Sequence, residues 1–170
     1  RESMGHIIAL VNQKGGVAKT TTAINLSASL NKKKKKVLLV DLDPQGNATS
    51  GIGVNKNEVE HNIYDCLVND VPVGDAIVAT YRKDLDLLPS NVALAGAEHE
   101  LNYMEDRATR LRHVLEPVKD SYDYILIDCP PSLGMITINA LSASEQIYVP
   151  IQSEYFALEG VEQLMQTVAL

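Results

Sequence analysis

The stretch Lys14-Gly15-Gly16-Val17-Ala18-Lys19-Thr20-Thr21 decides the reading of this chain. An apolar run, Ile7-Ile8-Ala9-Leu10-Val11, precedes it, and a segment with helical pattern, Thr20–Leu30, follows. Strand, glycine-rich loop and helix in that order make a phosphate-binding loop, in which backbone N–H groups and a helix N-terminus converge on phosphate oxygens. Lys19 is then expected at the β/γ-phosphates of a nucleotide and the Thr20 hydroxyl on Mg²⁺. The stretch departs from the pattern G-x-x-x-x-G-K-[ST] at both glycines: Ala18 stands before the lysine, and Gln13 stands five residues earlier. Alone, it would read equally well as a strand-to-helix turn with no ligand, so the remaining sequence has to decide.

Length and composition set the frame. At 170 residues with 45% apolar content, one domain with a buried core is expected. A net charge of −7 argues against a protein that grips nucleic acid through its overall field. The run Lys32–Lys36 reads as the solvated, positively charged end of the first helix rather than a contact surface. Cys66 and Cys129 make neither a disulfide framework nor a CxxC metal pattern, and Cys129 ends an apolar run, as a buried reduced thiol would. With no signal-peptide pattern and no apolar run near 18 residues, a soluble cytoplasmic protein is expected. Residues 1–3, Arg1-Glu2-Ser3, read as a cloning remnant ahead of the natural start Met4, leaving 4–170 as a single domain.

Four short apolar runs, Ile7–Val11, Val37–Val40, Tyr124–Ile127 and Gln146–Val149, have the uninterrupted, β-branched character of strands buried on both faces. Leu85–Leu88 is a weaker fifth, ended by Pro89. Helical patterns fall between them at Thr20–Leu30, Ile63–Leu67, Val92–Leu101, Thr109–Lys119, Met135–Ser142 and Leu158–Leu170. The alternation predicts an α/β fold: a doubly wound, mainly parallel sheet flanked by helices, with its site at the carboxyl ends of the strands. The last helical run has no stop signal before residue 170, so a C-terminally truncated domain is expected.

Three acids follow predicted strands: Asp41 and Asp43 after Val37–Val40, and Asp128 after Tyr124–Ile127. In a parallel sheet they share an edge with the loop 14–21. There Asp128 is placed to hold Mg²⁺, directly or through water, beside Thr20. Asp43 opens the turn-prone segment Asp43-Pro44-Gln45-Gly46-Asn47, expected to move over the γ-phosphate and orient the attacking water. Asp128-Cys129-Pro130-Pro131-Ser132-Leu133-Gly134 is expected to form a second phosphate-sensing loop, stiffened by its prolines and pivoting at Gly134.

With these residues in place, the chain resembles the ParA/Soj family of chromosome- and plasmid-partitioning ATPases. That family belongs to the deviant Walker A class of P-loop NTPases, which includes MinD and the nitrogenase iron protein. The likeness runs from Met4 to Leu170 and is carried by Asn12–Asn25, Val37–Gly53, Tyr122–Gly134 and Tyr148–Gln163. Its most specific strings are Asp41–Gly51, Asp128–Gly134 and Glu154-Tyr155-Phe156-Ala157-Leu158-Glu159-Gly160. A Soj-like rather than a MinD-like chain is expected, because these residues include no stretch that resembles the membrane-targeting tail of MinD.

The resemblance implies a role for each matching residue. Lys14 is the signature lysine that reaches the partner's nucleotide in an ATP-sandwiched homodimer, and Gly15 lies at the dimer seam. Gly15, Gly16, Val17 and Ala18 belong to the nucleotide-binding loop, Lys19 is the phosphate lysine, and Thr21 is an α-phosphate contact. Thr20 is the Mg²⁺ ligand and Asp128 the Walker B residue, acting on the metal through water. Lys14, Lys19 and Asp43 form the catalytic set, with Asp43 the hydrolytic aspartate.

The implied function is an ATP- and Mg²⁺-dependent switch: dimerisation, DNA binding without sequence preference, and hydrolysis stimulated by a ParB/Spo0J-like partner. DNA binding and nucleoid association are implied for the full-length protein rather than for this chain, because in the family much of the basic surface lies beyond the position matching Leu170. Ala18 replaces a family glycine. If that position needs positive φ, a Cβ costs about 1–2 kcal/mol, and weakened ATP binding or dimerisation is expected. Other readings are a P-loop synthetase spending ATP on a small molecule and a non-hydrolysing, nucleotide-dependent interaction protein.

Overall fold

The structure, a computed structural model, describes residues 5–11 and 17–149. In chain order these form β1 (His6–Leu10), α1 (Val17–Lys32), β2 (Val37–Asp41), α2 (Asn47–Gly51), α3 (Ile63–Val68), α4 (Val73–Ala76), β3 (Val78–Ala79), β4 (Leu85–Leu88), α5 (Ala97–Leu101), α6 (Arg110–Leu115), β5 (Tyr124–Asp128), α7 (Met135–Ala143) and β6 (Gln146–Tyr148). Two 3₁₀ segments extend these helices: Val92–Gly96 leads from β4 into α5, and Glu116–Ser121 leads from α6 towards β5.

The strands form one sheet in the order β3-β4-β2-β5-β1-β6. Every pairing is parallel except β3 with β4. Side-chain alternation along β2 divides the core: Val37 and Leu39 join Ala23, Ala48, Ile52 and Leu126 under α1 and α2. Leu38 and Val40 join Ile125, Ile127, Leu67, Leu111, Leu115 and Ile136 under the helices of the other face. All five residues of β2 are buried, as a strand covered on both faces requires. The doubly wound α/β architecture is therefore present.

Several boundaries differ from the sequence pattern for local reasons. The expected helix Thr109–Lys119 is α only to Leu115, because Pro117 has no N–H to continue the ladder and the chain tightens to 3₁₀. Val92–Leu101 likewise divides at Gly96. Strand β3 escapes a periodicity reading because it is two residues long, and it returns antiparallel through a hairpin with Asp84 in the left-handed region (φ 64°). The run Leu158–Leu170 lies outside the described residues.

The lysine run ends α1 as expected. Lys32 closes the helix, the carbonyls of Leu30 and Asn31 accept from the amides of Lys33, Lys34 and Lys35, and Lys34 takes a left-handed cap conformation (φ 62°). Lys32, Lys33, Lys34 and Lys36 are exposed. Among the described residues no helix is long and apolar enough to cross a membrane. Both cysteines are free and buried, and burial pushes each thiol up to about 12.

Candidate nucleotide site

Strands β2, β5 and β1 lie side by side, so their carboxyl ends share one edge with the start of α1. The register pairs Asp41 with Asp128 at the last position of the β2–β5 ladder, and Leu10 with Asp128 across β1–β5. The ladder runs one step further through Leu42 N–H to the Asp128 carbonyl and Cys129 N–H to the Leu10 carbonyl. Lys14, Gly15 and Gly16 fall outside the described residues. Val17 and Ala18 open α1, whose first turn carries no acidic residue. Its N-terminal dipole therefore has no acid of its own first turn beside it.

Ala18 has helical backbone within α1. That is right-handed backbone, not the positive-φ backbone on which the expected cost was conditional.

Lys19 is 1% exposed, and its ammonium donates to Asp128 Oδ1 at 2.5 Å and to the Cys129 carbonyl. The Thr20 hydroxyl donates to Asp128 Oδ2 at 3.1 Å. Both carboxylate oxygens are thus engaged by consecutive residues of α1. Burial pushes the Asp128 carboxyl up, and the Lys19 ammonium and Thr20 hydroxyl oppose that shift. Thr21, next along the helix, is exposed.

Asp41 faces inward and is fully buried. Its Oδ1 accepts from Asp43 N–H at 3.1 Å, and its Oδ2 accepts from both the N–H and the hydroxyl of Thr49, at 2.8 and 2.7 Å. Burial pushes this carboxyl up to about 6, against the pull of the Thr49 donors. Although strand-terminal like Asp128, Asp41 is committed to the segment that follows it.

Asp43 is 8% exposed and sits within a tight turn. Its Oδ1 accepts from Gln45 N–H at 3.0 Å, and its carbonyl accepts from Gly46 N–H at 2.9 Å. Gly46 is left-handed (φ 65°), where a Cβ would be strained and would also press on the Ser90 carbonyl at 3.3 Å. From just beyond β4, the Ser90 hydroxyl donates to the Asp43 carbonyl at 2.7 Å, and Ser90 N–H donates to Thr49 Oγ1 at 3.1 Å. Lys56 Nζ closes on the Gln45 carbonyl at 2.7 Å. The turn-prone segment is a turn pinned at several points, and it runs straight into α2.

In the second loop, Thr137 Oγ1 donates to the Ser132 carbonyl at 2.5 Å, tying the loop to α7. Gly134 has extended backbone (φ −87°, ψ −167°) that any residue adopts, so its expected role as a pivot has no conformational basis. Its lack of a side chain matters for space, since a Cβ would fall 1.9 Å from Glu98 Oε1. That carboxylate rests at the N-terminus of α7, 3.4 Å from Ile136 N.

Thr49, Ser90 and Glu98 were invisible as site residues in the sequence. Thr49 lies in a recognisable string, but no spacing rule brings Ser90 across 47 positions to Asp43.

The sequence profile of the AAA domain family matches residues 5–170. The sporulation initiation inhibitor protein Soj of Bacillus subtilis (strain 168) is 58% identical over 167 residues, which is 98% of this chain and 66% of that protein. The chromosome partitioning protein ParA of Myxococcus xanthus (strain DK1622) is 49% identical over 168 residues, 99% of this chain and 59% of that protein. The chain belongs to the AAA domain family, among its Soj and ParA members. It spans less than two thirds of the length of these curated relatives. Among solved structures, cobyrinic acid a,c-diamide synthase from Mycobacterium smegmatis with bound ATP analog and magnesium superposes with a TM-score of 0.90 at 41% identity, over 97% of this chain and 67% of that one. The sheet order and α1 edge described above are therefore those of a P-loop NTPase, and the Soj/ParA likeness extends across the loop 14–21, the Asp41–Gly51 segment and the Asp128–Gly134 loop.

Proposed function

We propose that this chain is the nucleotide-binding part of a Soj/ParA-type partitioning ATPase, a cytoplasmic switch that binds ATP with Mg²⁺ and hydrolyses it. The observation that carries the reading is the convergence of Lys19 and Thr20 on Asp128 at the edge where Asp43 is also held.

The donor set fits the cofactors. A buried carboxylate beside a threonine hydroxyl offers the hard oxygen ligands that Mg²⁺ takes, and a 16-residue helix with no acid in its first turn offers its N-terminus to phosphate. Thr20 would hold the metal directly and Asp128 through water. When bound, Mg²⁺ would neutralise charge on the phosphates. Lys19 would leave Asp128 for the β/γ-phosphates, and Thr21 would meet the α-phosphate. Asp43 would orient the attacking water. Gly15, Gly16, Val17 and Ala18 would line the phosphate loop, and Lys14 would reach the nucleotide of a second copy across a homodimer, adding positive charge to the transferring phosphoryl.

The partners follow from the relatives' names and the family likeness: a second copy of the chain, a ParB-like protein that stimulates hydrolysis, and non-specific DNA for the whole protein. Native mass measured with and without ATP–Mg²⁺ tests the switch, with a doubling expected for the unsubstituted chain and none for Lys14→Ala. An unchanged mass together with no phosphate release would sink it. The diamide synthase likeness favours a second reading, an ATP-dependent synthetase. Turnover that rises with a small-molecule acceptor, and not with DNA plus a ParB-like protein, would favour that reading instead.

A further inference from the structure

We propose that Asp41, Thr49 and Ser90 form a positioning network for Asp43, holding its backbone from both sides so that its carboxylate meets the transferring phosphoryl in one orientation. This inference rests on the reading of Asp43 as the residue that orients the attacking water.

The geometry has three parts. Asp41, the last residue of β2, takes the Asp43 amide on one oxygen and both donors of Thr49 on the other. Thr49, one turn into α2, passes the contact on by accepting Ser90 N–H on its hydroxyl. Ser90, just beyond β4, returns to Asp43 by donating its own hydroxyl to the Asp43 carbonyl. The loop of contacts closes on itself: strand end, helix start and neighbouring strand end all fix one residue. Asp41, Thr49 and Ser90 are each fully buried, so these bonds do not compete with solvent.

The chemistry explains the cost of such a device. A buried carboxylate whose oxygens accept three hydrogen bonds from neighbouring residues is expensive to maintain for a turn alone, since an apolar residue at Asp41 would suit the core of β2 better. What the carboxylate supplies is direction. The Asp43 amide and carbonyl are both tethered, so the Cα–Cβ bond has one heading, and the Gln45 amide on Oδ1 limits rotation of the side chain. A misplacement of about 1 Å at a reacting group can cost on the order of 100-fold in rate.

The test uses ATP with Mg²⁺ and four variants. Asp41→Asn can keep the Thr49 contacts through its amide oxygen but turns an N–H₂ toward the Asp43 amide. Thr49→Ala and Ser90→Ala each remove one hydroxyl, and Thr49→Ser restores one. The expected result is a fall in kcat on the order of 10–100-fold in the first three, with ATP affinity within the range of the unsubstituted chain and a cooperative unfolding transition retained, and recovery in Thr49→Ser. A second readout needs no nucleotide: the Asp43 amide should be protected from hydrogen exchange and lose that protection in Asp41→Asn, and the Ser90 amide should lose it in Thr49→Ala.

Asp43→Ala separates the two levels of inference. If it abolishes turnover while the network variants turn over normally, the network proposal is overturned and the role of Asp43 stands. If Asp43→Ala hydrolyses ATP like the unsubstituted chain, or the unsubstituted chain releases no phosphate, the reading of Asp43 fails and takes the network with it. Variants that lose ATP affinity or unfold in parallel with kcat would show a merely structural role, which also overturns the proposal. Ser90→Ala, the mildest change, decides the matter if Asp41→Asn does not fold.

Discussion

Lys19 and Asp128 are joined across 2.5 Å, with side chains 1% and 0% exposed. The pair links the first helix to the centre of the sheet at the point where phosphate and metal are expected. Removing one partner of such a pair leaves an uncompensated buried charge, which is far more costly than removing both. Lys19→Met should therefore destabilise the nucleotide-free chain by about 3–5 kcal/mol in urea unfolding, and Asp128→Asn added to it should recover most of that loss. Equal costs for Lys19→Met with and without Asp128→Asn would argue that the pair carries no coupling.

Asp41 gives a pH dependence whose sign can be worked out. Its carboxyl is pushed from 3.8 to about 6 by burial, so the folded chain holds that proton more tightly than the unfolded chain. The stabilisation is full below about pH 4 and is lost as pH rises through about 6. The loss amounts to about 3 kcal/mol. Urea unfolding of the metal-free chain and of Asp41→Asn, compared across that window, should show the difference in stability shifting in favour of Asn as pH rises. A constant difference would mean that Asp41 does not titrate there.

The two thiols should be silent in the folded protein. Cys66 and Cys129 are 1% and 0% exposed, and burial pushes both up to about 12, so thiolate is scarce at neutral pH. An aromatic disulfide reagent should label neither within minutes in native buffer and both in guanidinium. Rapid native labelling would place a thiol nearer the surface than the structure does.

Asn139 on α7 ties that helix to its neighbour. Its amide donates to the carbonyls of Arg107 and Met135 at 2.6 and 2.9 Å, and its oxygen accepts the Leu111 amide at 3.0 Å, in the first turn of α6. Asn139→Ala strands a buried helix-terminal donor and a loop carbonyl, and should cost about 2–4 kcal/mol by chemical denaturation. A loss below about 1 kcal/mol would indicate that water replaces the amide.

Much of this was legible beforehand, and the reasons are specific. Val37–Asp41 and Tyr124–Asp128 are buried on both faces, so their continuous apolar runs announced parallel strands. Asp128 announced itself through its place at the end of such a run beside a glycine-rich loop. Helix α2 did not, because Asn47-Ala48-Thr49-Ser50-Gly51 has no apolar periodicity and is held by the Asp41 and Ser90 contacts rather than by propensity. Asp41 was legible as a strand-terminal acid on the same edge, but its donors were not. Position on a strand fixes which edge a carboxylate reaches, whereas its donors come from residues such as Thr49 that only tertiary structure brings close.

The strand order carries a consequence for synthesis. Strand β5 sits between β1 and β2 although it is made long after both. A nascent chain that has finished Asp41 holds two apolar strands that are not neighbours in the sheet, with a gap one strand wide. At roughly 5–20 residues per second, the missing central strand arrives only several seconds later. Until then the hydrophobic edges of Val37–Asp41 and His6–Leu10 are open to wrong partners, and the N-terminal portion cannot fold ahead of the rest.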